Sequence, residues 1–188
     1  LLVSARRRVL RPEALKVLRD HVSQGKPVVG IRTASHAWSL RTGPVPEGFQ
    51  DWPEWDAQVL GGHYTNHHPA GKVSAVSLPA ATSGDMPALL TGLKPFSSTA
   101  SLYKVSPLES GAAPFLIGQI EGAPPEPVAW TFRRAEGGRS IYTSLGNEDD
   151  FQNGGFRRLL INSIYWGSGR EIPGTVAEPG PAPDKKIR

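Results

Sequence analysis

The first 36 residues alternate between strand and helix patterns, and this alternation restricts the fold more than any other feature of the chain. Residues 1–4 predict a short strand, and residues 12–25 carry Leu and Val at helical spacing between Pro12 and Gly25. Residues 28–31, Val-Val-Gly-Ile, predict a second, buried strand. Two strands joined through a helix pair in parallel with a right-handed crossover. The sequence therefore predicts an α/β fold that contains a parallel βαβ unit.

Beyond this unit the chain predicts further strands and one more long helix. Short runs of β-branched and aromatic residues predict strands at 73–78, 101–105, 114–121, 128–132 and 140–144. Apolar residues at helical spacing predict a helix over 156–166, and shorter helical turns are expected at 55–60 and 86–93. From residue 174 the chain is rich in Pro, Gly and charge, which predicts a disordered tail over 174–188 after a domain of residues 1–173.

The composition excludes several classes of protein. The chain of 188 residues has no Cys, which excludes disulfides, thiolate metal sites and a Cys nucleophile. Its net charge of +4 includes a short basic run over residues 6–8, which is too narrow for a nucleic-acid-binding module. No apolar run approaches the ~20 residues of a membrane-spanning helix. The composition leaves the compartment open, and it is compatible with a homo-oligomer.

Polar side chains follow the predicted strand over residues 28–31. They are Arg32, Thr33, Ser35 and His36. Because ligands of open parallel sheets bind outside the carboxyl ends of the strands, we expect these four side chains to contact a ligand. Arg6 follows the first predicted strand and is expected at the same edge. Arg32 would hold an anionic or carbonyl oxygen, and the ordinary near-neutral pKa of His36 suits proton transfer.

A second candidate region contains three histidines within six positions, His63, His67 and His68. Two glycines before this segment and Pro69 after it favour a loop. We expect His63 to act as a second proton-transfer group and His68 to contact the ligand. The alternative is a divalent metal such as zinc, bound by the three histidines, although no acidic ligand is adjacent in the sequence. No other cofactor is predicted.

Two further features bear on a ligand site. Asn147 follows Gly146 at the exit of the predicted strand 140–144, which makes it a candidate for ligand contact. Three tryptophans, Trp38, Trp52 and Trp55, lie in or next to a connection rich in Pro and Gly. Core packing is the favoured interpretation of the last two, and an apolar platform for a sugar ring is the alternative.

Four segments resemble a known family, and they occur in the order in which that family has them. They are residues 25–36 (Gly-Lys-Pro-Val-Val-Gly-Ile-Arg-Thr-Ala-Ser-His), Gly61-Gly62-His63 with His68-Pro69, residues 138–146 (Gly-Arg-Ser-Ile-Tyr-Thr-Ser-Leu-Gly) and residues 159–166 (Leu-Leu-Ile-Asn-Ser-Ile-Tyr-Trp). Through these segments the chain resembles the ThuA-like, or trehalose-utilisation, family, which shares the fold of class I glutamine amidotransferases.

This resemblance implies a flavodoxin-like three-layer sandwich with a mostly parallel sheet. It also implies that the first strand and helix of the family are missing, which agrees with a first residue that is not Met. Amidotransferases of this fold carry a nucleophilic Cys where this sequence has Arg32, which cannot be deprotonated to attack, so no glutaminase activity is implied. The sequence also departs from the family at Asn147, where a His often follows Leu-Gly, and at 98–102, which lacks an acidic pair.

The resemblance further implies a small-molecule carbohydrate ligand. Our first hypothesis is an enzyme that acts on a disaccharide or keto-sugar by acid–base chemistry at His36 and His63. A noncatalytic carbohydrate-binding or scaffold domain of a larger protein is the alternative, and a metal-dependent hydrolase is a further one. The enzyme hypothesis requires both histidines and Arg32 to converge on one pocket. The binding hypothesis requires a pocket without paired acid–base groups, and the metal hypothesis requires several His nitrogens around one ion.

Overall fold

A computed structural model describes residues 1–79 and 86–175 of the chain. Within these ranges the strands are β1 (Leu2–Val3), β2 (Val28–Ile31), β3 (Asn66–His67), β4 (Ser74–Ser77), β5 (Phe96–Ser98), β6 (Tyr103–Lys104), β7 (Ala112–Gln119), β8 (Glu126–Arg133) and β9 (Arg139–Thr143). The helices are α1 (Pro12–Ser23), α2 (Met86–Leu89) and α3 (Gly154–Gly167). Shorter helical turns occupy Arg32–His36, Asp56–Leu60 and Asp149–Gln152.

Seven of the described strands form one sheet in the order β1-β2-β9-β8-β7-β4-β5. The predicted βαβ unit is confirmed, because β1 pairs with β2 in parallel and Leu2 lies opposite Val29. β9 continues the parallel part, with Val28 opposite Ser140. The α/β fold class is confirmed, and the sheet is mixed, with more antiparallel pairing than we expected. A short turn separates β8 from β9, and such a turn can join only antiparallel strands.

Local sequence signals set the ends of the two long helices. Pro12 occupies the first turn of α1, where its missing N–H costs nothing, and Glu13 lies at the positive end of the helix dipole. Gly25, at φ 69°, follows the helix and turns the chain toward β2. At the start of α3 the Asn153 side chain accepts hydrogen bonds from the backbone N–H groups of Gly155 and Phe156. Both predicted helices are therefore present, with ends that differ by one or two residues.

Apolar side chains pack on both faces of the sheet, which gives three layers. Along β2, Val28 belongs to the cluster that contains α1 and the segment around Trp55. Ile31 belongs to the other cluster, together with α2 and α3. Trp55 is 1 % exposed, and its Nε1 donates to the carbonyl oxygen of Ala34 at 2.8 Å. This bond ties the long connection after His36 to the turn that follows β2.

Some expectations about the strands change in detail. The strand expected over 101–105 is reduced to β6, because its partner β3 offers only two residues for pairing. The short helix expected at 55–60 is a π-helical turn over Asp56–Leu60. The predicted tail of 174–188 lies outside the described residues except for its first two. No helix in the part of the chain that the structure describes combines the length and the apolar character needed to cross a membrane.

Candidate functional site

The chain turns sharply at the carboxyl end of β2, and Arg32 takes up the turn. Its φ of 46° lies in the left-handed region, which costs a non-glycine residue about 1–3 kcal/mol and is common at functional sites. The Tyr142 hydroxyl donates to the Arg32 carbonyl oxygen at 2.5 Å and holds this conformation. A Cβ at Gly30 would lie 3.0 Å from the Tyr142 ring, so the glycine allows the ring to lie against β2. The turn therefore projects the Arg32 side chain from the edge of the sheet.

The Arg32 guanidinium is fixed by neutral partners. Its Nη1 donates to the carbonyl oxygen of Ser144 at 2.8 Å, and its Nη2 donates to Ser101 Oγ at 3.0 Å. The group also lies 4.7 Å from the centre of the Tyr103 ring, which is within the range of a cation–π contact. These contacts orient the cation without cancelling its charge.

A cavity of about 210 Å³ opens at this edge of the sheet. Among the described residues its lining consists of Arg6, Arg32, Thr33, His36, Arg41, Tyr64, His67, Ser101 and Tyr103. The structure thus brings together four side chains that the sequence placed at the strand ends: Arg6, Arg32, Thr33 and His36. Ser35 lies just behind the lining, where its Oγ is 3.0 Å from His36 Nδ1.

Aromatic rings form one wall of this cavity. The ring centres of Tyr64 and Tyr103 are 4.4 Å apart, and that of His36 is 4.8 Å from Tyr64. Tyr103 is buried, and burial raises the pKa of its hydroxyl. The wall therefore offers flat apolar ring faces, and the Tyr103 hydroxyl stays protonated at neutral pH.

His36 lies almost fully enclosed among positive charges. Burial, and after it the guanidinium charges of Arg7, Arg6, Arg41 and Arg32, together lower the pKa of its imidazole to about 4. This differs from the near-neutral pKa expected from the sequence, because composition gives no measure of burial. At pH 7 the ring is neutral, so it acts as a hydrogen-bonding group and as a weak base rather than as an imidazolium acid.

His63 lies outside the lining of the cavity. Its Nδ1 is 2.8 Å from Asp56 Oδ2, and its side chain is 63 % exposed while that of Asp56 is 7 % exposed. Burial raises the pKa of the Asp56 carboxyl, and the contact with His63 opposes that shift. The backbone N–H of Ala57 also donates to Asp56 at 2.9 Å. In this structure His63 therefore anchors its loop, and it does not converge with His36 and Arg32 on one pocket.

The other two histidines of this loop have separate environments. His68 is buried, its backbone N–H donates to Leu102 at 2.8 Å, and its Nε2 is 4.0 Å from a carboxylate oxygen of Glu126. His67 lines the cavity, and its Nδ1 lies 2.8 Å from the His68 carbonyl oxygen. Within residues 1–79 and 86–175 no three or more His, Asp or Glu side chains form a group that could hold a metal. The zinc alternative stays a prediction, and the described residues offer no cluster of ligands for the ion.

Asn147 belongs to the loop after β9. Its Nδ2 donates to Thr99 Oγ1 at 2.8 Å, and its Oδ1 accepts from the backbone N–H of Asp150 at 3.1 Å. The Asp150 carboxylate in turn accepts from the backbone N–H of Gly146 at 2.7 Å. The side chain stabilises this loop, and it is not part of the cavity lining.

The tryptophans pack into the fold. Trp52 and Trp55 are buried with ring centres 5.2 Å apart, which confirms the favoured interpretation of core packing. Trp38 packs edge-on against Trp55 at 6.0 Å. None of the three is among the described lining residues, so the alternative of a tryptophan platform for a sugar is wrong for this cavity. The tyrosines occupy that position instead.

Sequence reasoning missed four of the lining residues. They are Arg41, Tyr64, Ser101 and Tyr103. Tyr64 lies inside the histidine-rich loop, so the same loop signal could have included it. Tyr103 reaches the cavity because β3 and β6 pair, with His67 opposite Tyr103. The two strands are only two residues long and lie far apart in the sequence, so no local sequence pattern predicts that they pair.

Comparisons with known proteins find solved structures with a similar architecture. A ThuA-like protein from Bacteroides uniformis matches with a TM-score of 0.64 and 15% identity, covering 90% of this chain and 69% of that one. A β-galactosidase from Rahnella sp. R3 matches with a TM-score of 0.55 and 16% identity, covering 87% of this chain and 22% of that one. Such identities show a shared fold. A comparison with curated proteins gave no match. The model of the family described as ThuA, trehalose utilisation, matches residues 1–167, and this chain therefore belongs to that family.

Proposed function

We propose that this chain takes part in carbohydrate metabolism and that the cavity at the end of β2 binds a sugar or a sugar derivative. The observation that carries the proposal is the meeting of hydrogen-bonding side chains and two adjacent tyrosine rings in one cavity. Sugars present hydroxyl groups at their edges and C–H groups on their faces, so this pairing suits them. The description of the family as trehalose utilisation supports the same class of ligand.

The size of the cavity limits what it encloses. Its volume of about 210 Å³ is below the roughly 300–1,000 Å³ of sites for drug-sized ligands, so it suits a group of about one sugar ring. A disaccharide would place its second ring at the open side, toward the exposed His67 and Arg41. The rings of Tyr64 and Tyr103 would contact the sugar, while Thr33 and Ser101 would bond its hydroxyl groups.

Catalysis would use His36 as an acceptor of a proton or a hydrogen bond from the bound sugar. Its low pKa makes it a weak base, and Ser35 Oγ at 3.0 Å sets the orientation of its ring. A noncatalytic carbohydrate-binding domain is the second candidate function. It is favoured by one observation, that His63 pairs with Asp56 and leaves the cavity without a second acid–base histidine from the predicted pair.

Thermal shift with disaccharides, 3-keto sugars and single sugars tests the proposal, because a ligand of the folded state raises apparent stability. We expect a sugar-dependent shift that falls in Thr33→Val and His36→Gln. Ser23→Ala, at the exposed far end of α1, is the matched control and should keep the shift. No shift with any carbohydrate, or the same loss in the control, would contradict the proposal.

Turnover separates the two candidate functions. The sugar that gives the largest shift would be incubated with the protein and followed by NMR over hours. A new sugar product that His36→Gln no longer forms would support the enzyme. A bound sugar that stays unchanged would support the noncatalytic domain.

A further inference from the structure

The cavity at the end of β2 is positively charged. Guanidinium groups of Arg6, Arg32 and Arg41 line it, and a fourth, from Arg7, lies close enough to lower the pKa of His36. None of the nine described lining residues is Asp or Glu. Because like charges repel strongly where water is partly excluded, such a cluster is costly unless an anion joins it.

Asp56 is the carboxylate that influences this cluster, and it pairs with a residue outside the cluster. Asp56 raises the pKa of Arg7, yet burial and the charge of Arg41 lower it, and the net shift is downward. Asp56 itself lies 2.8 Å from His63. The positive charge of the cluster therefore has little compensation among the described residues.

Two of the four arginine side chains, those of Arg7 and Arg32, are held in place by hydrogen bonds, whereas Arg6 and Arg41 are exposed. Arg7 Nη1 donates to the carbonyl oxygen of Leu40 at 3.2 Å and so fixes the segment that leads to Arg41. Arg7 Nε is buried, with no hydrogen-bond partner among the described residues. Arg32 uses one N–H on each of two nitrogens for Ser144 and Ser101, which leaves further donors on the same planar group. A fixed fork of donors matches the geometry of carboxylate and phosphate oxygens.

We propose that the cavity takes a carbohydrate derivative that carries a compact anionic group, a carboxylate or a phosphate, held between Arg6, Arg32 and Arg41. The sugar part lies against Tyr64 and Tyr103. This inference rests on the proposed function for the sugar part and adds the charge of the ligand. His36 is neutral at pH 7, so it supplies a hydrogen bond to the same ligand without adding to the repulsion.

Calorimetric titration of the full chain at pH 7 tests the charge directly. The probes are glucose, glucuronate, glucose 6-phosphate and inorganic phosphate. Glucose 6-phosphate shares its sugar with glucose and its anionic group with inorganic phosphate, and glucuronate carries a carboxylate instead. We expect at least one charged sugar to bind about tenfold or more tightly than glucose. Raising the salt from about 0.05 M to 0.5 M should weaken that binding severalfold and leave any glucose binding unchanged.

Substitution of the exposed arginines locates the anion. Arg41→Gln and Arg6→Gln should each lower the affinity for the charged sugar about tenfold, and both side chains are exposed enough to leave folding intact. Arg170→Gln is the matched control, because Arg170 is exposed and lies outside the lining. It should change nothing.

Each outcome has a separate meaning. Equal binding of glucose and the charged sugars, without an effect of Arg41→Gln or Arg6→Gln, would overturn the anionic ligand and keep the sugar site. Phosphate that binds as tightly as glucose 6-phosphate, with the same loss in both variants, would keep the anion site and overturn the sugar. Absence of binding by all four probes would overturn both. A preference for glucuronate over glucose 6-phosphate, or the reverse, identifies the anionic group.

Discussion

The environment of His36 predicts how the stability of this protein depends on pH. The imidazole is enclosed in the folded chain and faces four arginines, and its pKa falls from 6.5 to about 4. Between these values the unfolded chain binds a proton that the folded chain does not bind. Stability therefore falls as the pH drops from about 6.5 to about 4, and below that range the penalty stays constant.

The shift sets the size of this effect. One pKa unit corresponds to about 1.36 kcal/mol, and for a pKa that falls from 6.5 to about 4 the loss between pH 7 and pH 5 is roughly 2 kcal/mol. Water at the open side of the cavity screens part of the arginine charge, so we expect about 1–2 kcal/mol. His36→Gln removes the titrating group and keeps a polar side chain of similar size.

Urea unfolding at pH 7, 6 and 5 measures the free energy of unfolding of both proteins. The variant can be more or less stable at pH 7, and only the change with pH is compared. We expect the wild-type protein to lose about 1–2 kcal/mol more than His36→Gln between pH 7 and pH 5. Parallel curves for the two proteins would refute the low pKa and the enclosure from which it follows. An NMR titration of the His36 ring would then give a midpoint near 6.5.

Two further predictions test the packing that positions the cavity. Gly61→Ala should lower the free energy of unfolding by about 3 kcal/mol, because φ is 73° and the added Cβ would collide with the Phe132 ring. Gly43 also has a positive φ, but a Cβ there would meet open space among the described residues. Gly43→Ala should therefore cost only about 1 kcal/mol. Glu126→Leu should cost about 2–4 kcal/mol, because it leaves two backbone N–H groups at 3.0 and 3.1 Å without an acceptor, whereas Glu126→Gln should cost about 1 kcal/mol. Urea unfolding checks both pairs, and equal losses within a pair would contradict the reasoning.

Local signals made the framework of the fold predictable. Pro12 and Gly25 mark the ends of α1 by properties that each residue has alone, so the βαβ unit follows from a short stretch of sequence. The antiparallel pairing of β7 with β4 was not predictable in the same way. More than thirty residues separate the partners Val76 and Gly118, so no spacing within the sequence fixes their register.

The same contrast applies to the candidate site. Arg6, Arg32 and His36 follow the ends of parallel strands, so the rule for ligand sites in such sheets was sufficient to bring them together. Burial and long-range contacts decide the rest. His63 pairs with the buried Asp56, and Tyr103 enters the cavity through a two-residue strand pair.

Arg32 combines a backbone conformation and a side chain that together favour binding of an anion. A residue at φ 46° is strained, and the Tyr142 hydroxyl and the bonds to Ser144 and Ser101 hold it there. A nucleophile at such a turn would have to lose a proton, whereas arginine keeps its charge throughout the physiological range. The turn therefore fixes a permanent cation at the edge of the sheet. Because the position of the Arg32 guanidinium is set before the ligand arrives, this residue adds little ordering cost when an anionic group binds.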